Sequence, residues 1–505
     1  MSSKSDHNKK LMQAAIALLI AVSGAFAAIF VFPPALWLLI ALFIAFLAYI
    51  IVHFRIESAF MKGLAFLLPF SLEFPFMSGS MLRVPTEPMI AVAAAILVLH
   101  VLRRPASIKM PVVRELAWTL PLITVFAVST VFSSMPFVSF KFSFVNIIYL
   151  LVFYVLMMIL SREKPGLFPQ MLLFYGLGFL MVTLLSLYRF WQWDWNPIVL
   201  RGIFQPFYND HTIFGASAAI MSIFWAAASQ MERGAGWKLL SWILAGIFLT
   251  AVLLSGSRGA LLSLAFAASV WLLFLLKPKP ALIVLGFVVV LSGVWMLREP
   301  LADRFQQTEA LSYDRESGLL DRTRSVGNVT TDVSNLERLN RWVSAWRMFL
   351  EKPLTGFGPG TYQFQYIPFQ EPGLMNRLSV TNPWNVPEGS GGTAHSEYLL
   401  ALSEMGVFGL LSWLLLMGRW SWLALRRWRS HPNRKQMMIA LIALSTYFFH
   451  ALVNNFLTTD KFAFLFWGTA AWLVSGHLYH EKDEVGDGEE GLEGLEGLER
   501  EGESR

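Results

Sequence analysis

The chain has 505 residues, 55% of them hydrophobic and 15% charged, with a mean hydropathy of +0.54. A soluble fold of this size cannot bury so much apolar surface, so a membrane bundle is expected rather than a string of soluble domains. The formal charge of +6 does not point to nucleic acid, because the basic residues sit in short loops between apolar runs; the absence of cysteine excludes disulfides, thiolate metal sites and a cysteine nucleophile.

Lys4, Lys9 and Lys10 precede an apolar run over 11–32. It is longer than the roughly 7–15 residues of a secretory h-region, so it reads as an uncleaved first helix. Further runs of spanning length fall near 35–52, 86–102, 115–133, 143–160, 168–190, 211–229, 237–255, 259–276 and 280–297, then 396–425, 437–458 and 461–480. A shorter run at 59–70, ending at Pro69, reads as a tilted or partly re-entrant span. The expected fold is therefore an all-α polytopic membrane protein of about 14 (roughly 12–14) transmembrane helices.

Orientation follows from the loops. With the N-terminus and the short run counted as above, the cytoplasmic loops hold Arg55 and Lys62, then Arg103, Arg104, Lys109 and Arg114, then Arg162 and Lys164, and later Arg426, Arg427 and Arg429. The opposite loops at 71–85, 133–142 and 459–461 are poor in Lys and Arg. Membrane helices over 1–297 are thus followed by a loop over 298–394 on the outer side, membrane helices over 395–480 and an acidic, disordered cytoplasmic tail over 481–505. Within the loop, Leu336, Leu339, Val343, Trp346 and Phe349 recur at helical spacing, which predicts an amphipathic helix over 335–350 that Pro353 and the glycines of TGFGPG (355–360) end in a turn.

This topology sends four polar groups to one face: Arg201 with Asn209, Asp210 and His211; Arg258 in SGSRGA (255–260); Arg338 and Arg341 on the loop helix; and His395 with Glu397 in AHSEYL (394–399). Arg258 lies in a tight junction between two spans, where a charge is costly unless paired or wet. It is either a guanidinium that grips phosphate oxygens bidentately or an interfacial anchor that snorkels to headgroups. The aromatic stretch RFWQWDWNP (189–197) before Arg201 reads as an interfacial belt or as a stacking surface for sugars or lipid. Asp210 and His211 are either a helix cap or catalytic. His395, expected to open a helix after GSGGTA (389–394), is a general base near neutral pH or a loop contact. Arg338 and Arg341, about one turn apart, either face one pocket or are solvated. No Walker, GxSxG or HExxH motif and no cluster with metal-ligand spacing occurs in the sequence.

From about residue 130 to 460 the chain resembles the O-antigen ligase and O-antigen polymerase superfamily of bacterial envelope glycosyltransferases. The resemblance rests on the arginine–Asn/Asp segment at 201–215, the SGSRGA arginine, and a long external loop with the Arg341–Trp346 region. It closes with PLTGFGPGTY (353–362) and AHSEYLLALSEMGVFG (394–409). It implies a GT-C-like bundle in a bacterial inner membrane and a periplasmic site that needs no metal or cofactor. The implied donor is an undecaprenyl diphosphate-linked glycan, with Arg201 and Arg258 on the diphosphate and His395 at the acceptor hydroxyl; Arg338, Arg341, Asp210, His211 and Glu397 would support them. Two departures stand out: the usual histidine–asparagine pair is His395–Ser396, and YNDHTIFG (208–215) replaces the commoner proline–asparagine form. The implied acceptor is lipid A–core (a ligase), a second lipid-linked glycan (a polymerase) or a protein serine (an oligosaccharyltransferase). A transporter or flippase of lipid-linked sugars is the alternative of a different class; it would place charges or broken helices at the bilayer midplane.

Overall fold

Inside a bilayer each backbone N–H and C=O must find its partner within the protein, so long apolar runs fold as helices. The computed structural model describes residues 33–276 and 333–478, apart from 77–79, 104–109, 197–198, 201, 232, 377, 383–391 and 427–430. The expected spans at 11–32 and 280–297, the tail after 480, and Arg201 lie outside the described residues. In chain order the elements are α1 (Pro33–His53), α2 (Glu57–Leu67), β1 (Leu72–Phe76), β2 (Ser80–Val84), α3 (Thr86–Arg103), α4 (Met110–Ala117) and α5 (Leu120–Val131). Next come α6 (Pro136–Tyr149), α7 (Met157–Glu163), α8 (Leu167–Gln192), α9 (His211–Ala228), α10 (Ala235–Ser255) and α11 (Arg258–Leu276). The last are α12 (Val333–Glu351), α13 (Glu397–Arg426), α14 (Arg434–His450) and α15 (460–478).

Among the described residues, eight helices are long and apolar enough to cross a membrane. They are α3, α4–α5 taken together, α6–α7 joined through a π-helical stretch at Leu150–Leu156, α8, α9, α10, α11 and α13. The protein is a mostly helical, multi-pass membrane protein. The short run before Pro69 forms the 11-residue helix α2, which is not among those eight. At the start of α2 Ser58 Oγ accepts from Lys164 (3.0 Å), and after it Ser71 Oγ meets Thr86 Oγ1 (2.7 Å). The expected span at 437–458 is corrected: α14 stops at His450, and the chain turns through Asn454 and Asn455 before α15. Among the described residues the all-α expectation has one exception, the antiparallel pair β1–β2, in register Leu72↔Val84 through Phe76↔Ser80.

The GFGPG turn is fastened to a break in α13. Gly406 leaves the helical region (φ 68°), and the freed backbone binds the turn: Val407 N donates to Pro353 O (2.8 Å), Phe357 N to Ser403 O (3.0 Å) and Gly358 N to Glu404 O (2.9 Å). The approach is so close that a Cβ on Gly356, itself at φ +65°, would lie 2.2 Å from the Glu404 carbonyl carbon. The buried Glu404 carboxylate completes the joint by accepting from the amides of Gly360 (2.8 Å) and Tyr362 (2.9 Å). Glu404→Ala would leave two buried donors unsatisfied, at about 1–3 kcal/mol each. It is expected to lower the melting midpoint in detergent and to open 353–362 to protease, whereas a wild-type melt would show that the carboxylate does not hold the turn.

Candidate active site

Asp210 begins the construction. It caps α9, its Oδ1 accepting from Thr212 N at 2.7 Å, and places His211 at the first helical position. His211 Nδ1 lies 2.9 Å from Ser255 O, which ties the start of α9 to the turn between α10 and α11. In that turn Gly256 adopts the left-handed conformation (φ 62°), and Arg258, which the sequence places in the junction between two spans, is the first residue of α11. A cation at a helix N-terminus opposes the helix dipole. The adjoining Gly259 abuts a side chain from another element: a Cβ there would sit 2.8 Å from His450 Nε2.

His450 and Asn454 enter here without having been singled out in the sequence. His450 is buried, and its Nε2 lies 3.0 Å from Asn454 Nδ2. The signal was present: a histidine and an asparagine at i and i+4 inside an otherwise apolar run.

His395 lies against the same group. Its backbone is left-handed (φ 48°), an unusual state for a side chain of this size. The Trp342 indole holds its carbonyl (3.2 Å), and Thr393 Oγ1 accepts from its amide (3.3 Å). The expectation that His395 opens the helix is corrected by two residues: α13 starts at Glu397, and Ser396 Oγ takes the capping role by accepting from Leu399 N (3.4 Å). The imidazole is shifted from its ordinary value near 6.5 to about 3. Burial is the main cause, and the charges of Arg341 and Arg338 add to it; Asp210 and a hydrogen bond with Asn454 work in the opposite direction. Asp210, Arg338, Arg341, His395 and Asn454 therefore share one electrostatic neighbourhood, which Arg258 borders through Gly259 and His450.

The arginines of α12 divide the work. Arg341 is buried, donating to Glu337 Oε1 (2.7 Å) and to Thr393 O (3.1 Å), with its guanidinium over the Tyr366 ring (5.2 Å). Those contacts fix the loop that carries His395. Arg338 is half-buried on the same helix. Glu397 turns away into the bundle: its Oε2 accepts from Tyr447 OH (2.9 Å), and its amide donates to Ala451 O (2.9 Å). The hairpin braces the segment before Asp210. Glu73 binds both Arg83 (3.0 Å) and Asn209 (2.7 Å), Arg83 reaches Thr458 O (3.2 Å), and Lys461 Nζ donates to Ser71 O (2.9 Å) and to Phe207 O.

Residues 243–414 match a family model described as O-antigen ligase. The match covers about a third of the chain and supports the resemblance to the O-antigen ligase and polymerase superfamily. The family segment runs from within α10 into α13 and carries Arg258, Arg338, Arg341, His395, Glu397 and Glu404, whereas Asp210, His211 and His450 lie outside it. A search of curated proteins returned no match. The family match and the eight apolar helices together point to a membrane protein similar to O-antigen ligases.

Proposed function

We propose that the protein transfers a glycan from an undecaprenyl diphosphate carrier to an acceptor hydroxyl on the periplasmic face of a bacterial inner membrane, and that the acceptor is lipid A–core. The observation that carries this reading is the convergence of Arg338, Arg341, Asp210 and Asn454 on His395, with Arg258 alongside. A neutral, oriented imidazole next to fixed cations suits an acceptor hydroxyl that meets a diphosphate-bearing donor.

In this mechanism the acceptor oxygen bonds to the anomeric carbon as the bond from that carbon to the diphosphate oxygen breaks. The electron pair leaves with undecaprenyl diphosphate, whose growing charge Arg258 and Arg201 stabilise, and the hydroxyl proton passes to the His395 ring. The bound diphosphate also offsets the positive field of Arg338 and Arg341, which makes the imidazole a better proton acceptor once the donor is in place. A single displacement inverts the anomeric configuration, so retention in the purified product would rule out this mechanism. The acceptor is tested by offering the purified protein a defined lipid-linked repeat with and without lipid A–core. A core-linked glycan is expected. A ladder of lipid-linked repeats formed without core would make the protein a polymerase, and flux across proteoliposomes with no new bond would make it a transporter.

A further inference from the structure

At the end of the bundle remote from His395, α4, the last turns of α13 and α15 enclose a polar pocket of about 220 Å³ lined by Arg114, Glu115, Arg419, Trp422, Arg426 and His477. Arg419 is committed to the buried Glu115, with Nε 3.2 Å from Oε2 and a second bond from the guanidinium to Oε1. Three arginines against one glutamate leave a net charge of +2, carried by the exposed Arg114 and Arg426. The Arg426 guanidinium lies 5.7 Å from the Trp422 ring centroid, an aromatic–cation pair suited to the headgroup level.

The same helices continue into an apolar groove of about 970 Å³ between α4–α5 and α13. Its first lining residues follow the arginines by one helical turn: Ala117 is three residues after Arg114, and Leu415 is four before Arg419. Exposed Leu120, Leu411 and Phe408 mark its rim as open to the membrane, and Leu354, beneath the GFGPG turn, lines its far end. From Ala117 to Val128 the groove runs about 17 Å at the helical rise of 1.5 Å per residue, close to the roughly 15 Å of half a hydrocarbon core.

We infer that this seam is a binding site for one anionic phospholipid, with its phosphodiester at Arg114 and Arg426 and its acyl chains along the α5–α13 groove. Charge, depth and polarity agree: a doubly positive mouth at headgroup level opens onto an apolar trough one leaflet deep. The polar mouth is at the end away from His395, so the seam does not fit a carrier whose diphosphate is at His395. The inference is independent of the transfer reaction.

The test uses delipidated full-length protein in detergent, titrated with dioleoyl phosphatidylglycerol or dioleoyl phosphatidylethanolamine and read by native mass spectrometry. One phosphatidylglycerol is expected to be retained in preference to phosphatidylethanolamine. The double variant Arg114→Gln/Arg426→Gln, which leaves the Arg419–Glu115 pair intact, is expected to weaken phosphatidylglycerol binding by roughly 10- to 30-fold, with phosphatidylethanolamine binding and glycan transfer unchanged. Leu415→Trp, which fills the groove, is expected to weaken the same lipid with both arginines in place. Equal retention of the two lipids, or phosphatidylglycerol binding untouched by either variant, would overturn the inference. So would full displacement by millimolar inorganic phosphate, which would make the mouth a free-phosphate pocket, or preferential loading of undecaprenyl phosphate in the groove.

Discussion

Replacing His395 by alanine is expected to lower turnover by about 10²–10⁴-fold, the usual range for loss of a positioned acid–base group, with little change in apparent donor affinity. The expectation follows from the strained backbone at 395, the two hydrogen bonds that hold it, and a ring desolvated beside Arg341 and Arg338. The pH dependence separates this from a merely structural role. With the free imidazole at about 3, His395 is neutral throughout pH 4.5–8, so its acid limb in kcat/KM lies below that window. In the donor complex the diphosphate charge favours the protonated ring and raises its pKa, so the acid limb of kcat lies at higher pH than that of kcat/KM. If both limbs fell together near 6.5, the ring would be an ordinary solvated histidine. Near-normal turnover by a well-expressed His395→Ala protein would remove it from the chemistry.

How much of this was legible in the sequence depended on the range of the interaction. Local signals read well. The apolar positions of α12 recur at helical spacing, Asp210 precedes an apolar run as a cap should, and most spans follow from hydropathy alone. Partnerships across the chain did not. Glu404 sits in LSEMG like an unremarkable helix acid, because its partners are amides 42 and 44 residues away, in the turn that Gly406 lets approach. His450 and Asn454 carried a sequence signal as polar residues in an apolar run, but the run over 437–458 also reads as one span. Nothing in it announces that the helix stops at the histidine and that Gly259 leaves room for the ring. The β1–β2 hairpin was read as loop, since Pro75 and Pro85 interrupt an alternation already short. The sequence reading placed His395 at the start of the helix. Only the backbone shows that Ser396 caps α13 and that His395 is left outside the helix, facing the arginines.

Arg258→Ala is expected to cost about 10²–10³-fold in kcat, the scale of one lost donor to a developing oxyanion, while the melting midpoint stays near wild type. The two halves of that prediction come from one placement. As the first residue of α11, Arg258 puts a cation at the positive end of a helix dipole, an arrangement that costs roughly 0.3–1 kcal/mol rather than stabilising the fold. Ser255 and Ser257 in the turn are buried against Gly215 of α9, and Gly259 brings the turn against His450. Arg258→Lys discriminates further. It retains the charge but loses the planar fork, so a bidentate grip on the diphosphate predicts a substantial kcat loss in this variant too, whereas a headgroup anchor predicts full activity for lysine. A large drop in thermal stability with proportionate loss of folded protein, and normal specific activity in what remains, would assign Arg258 to the membrane interface and leave the diphosphate to other groups.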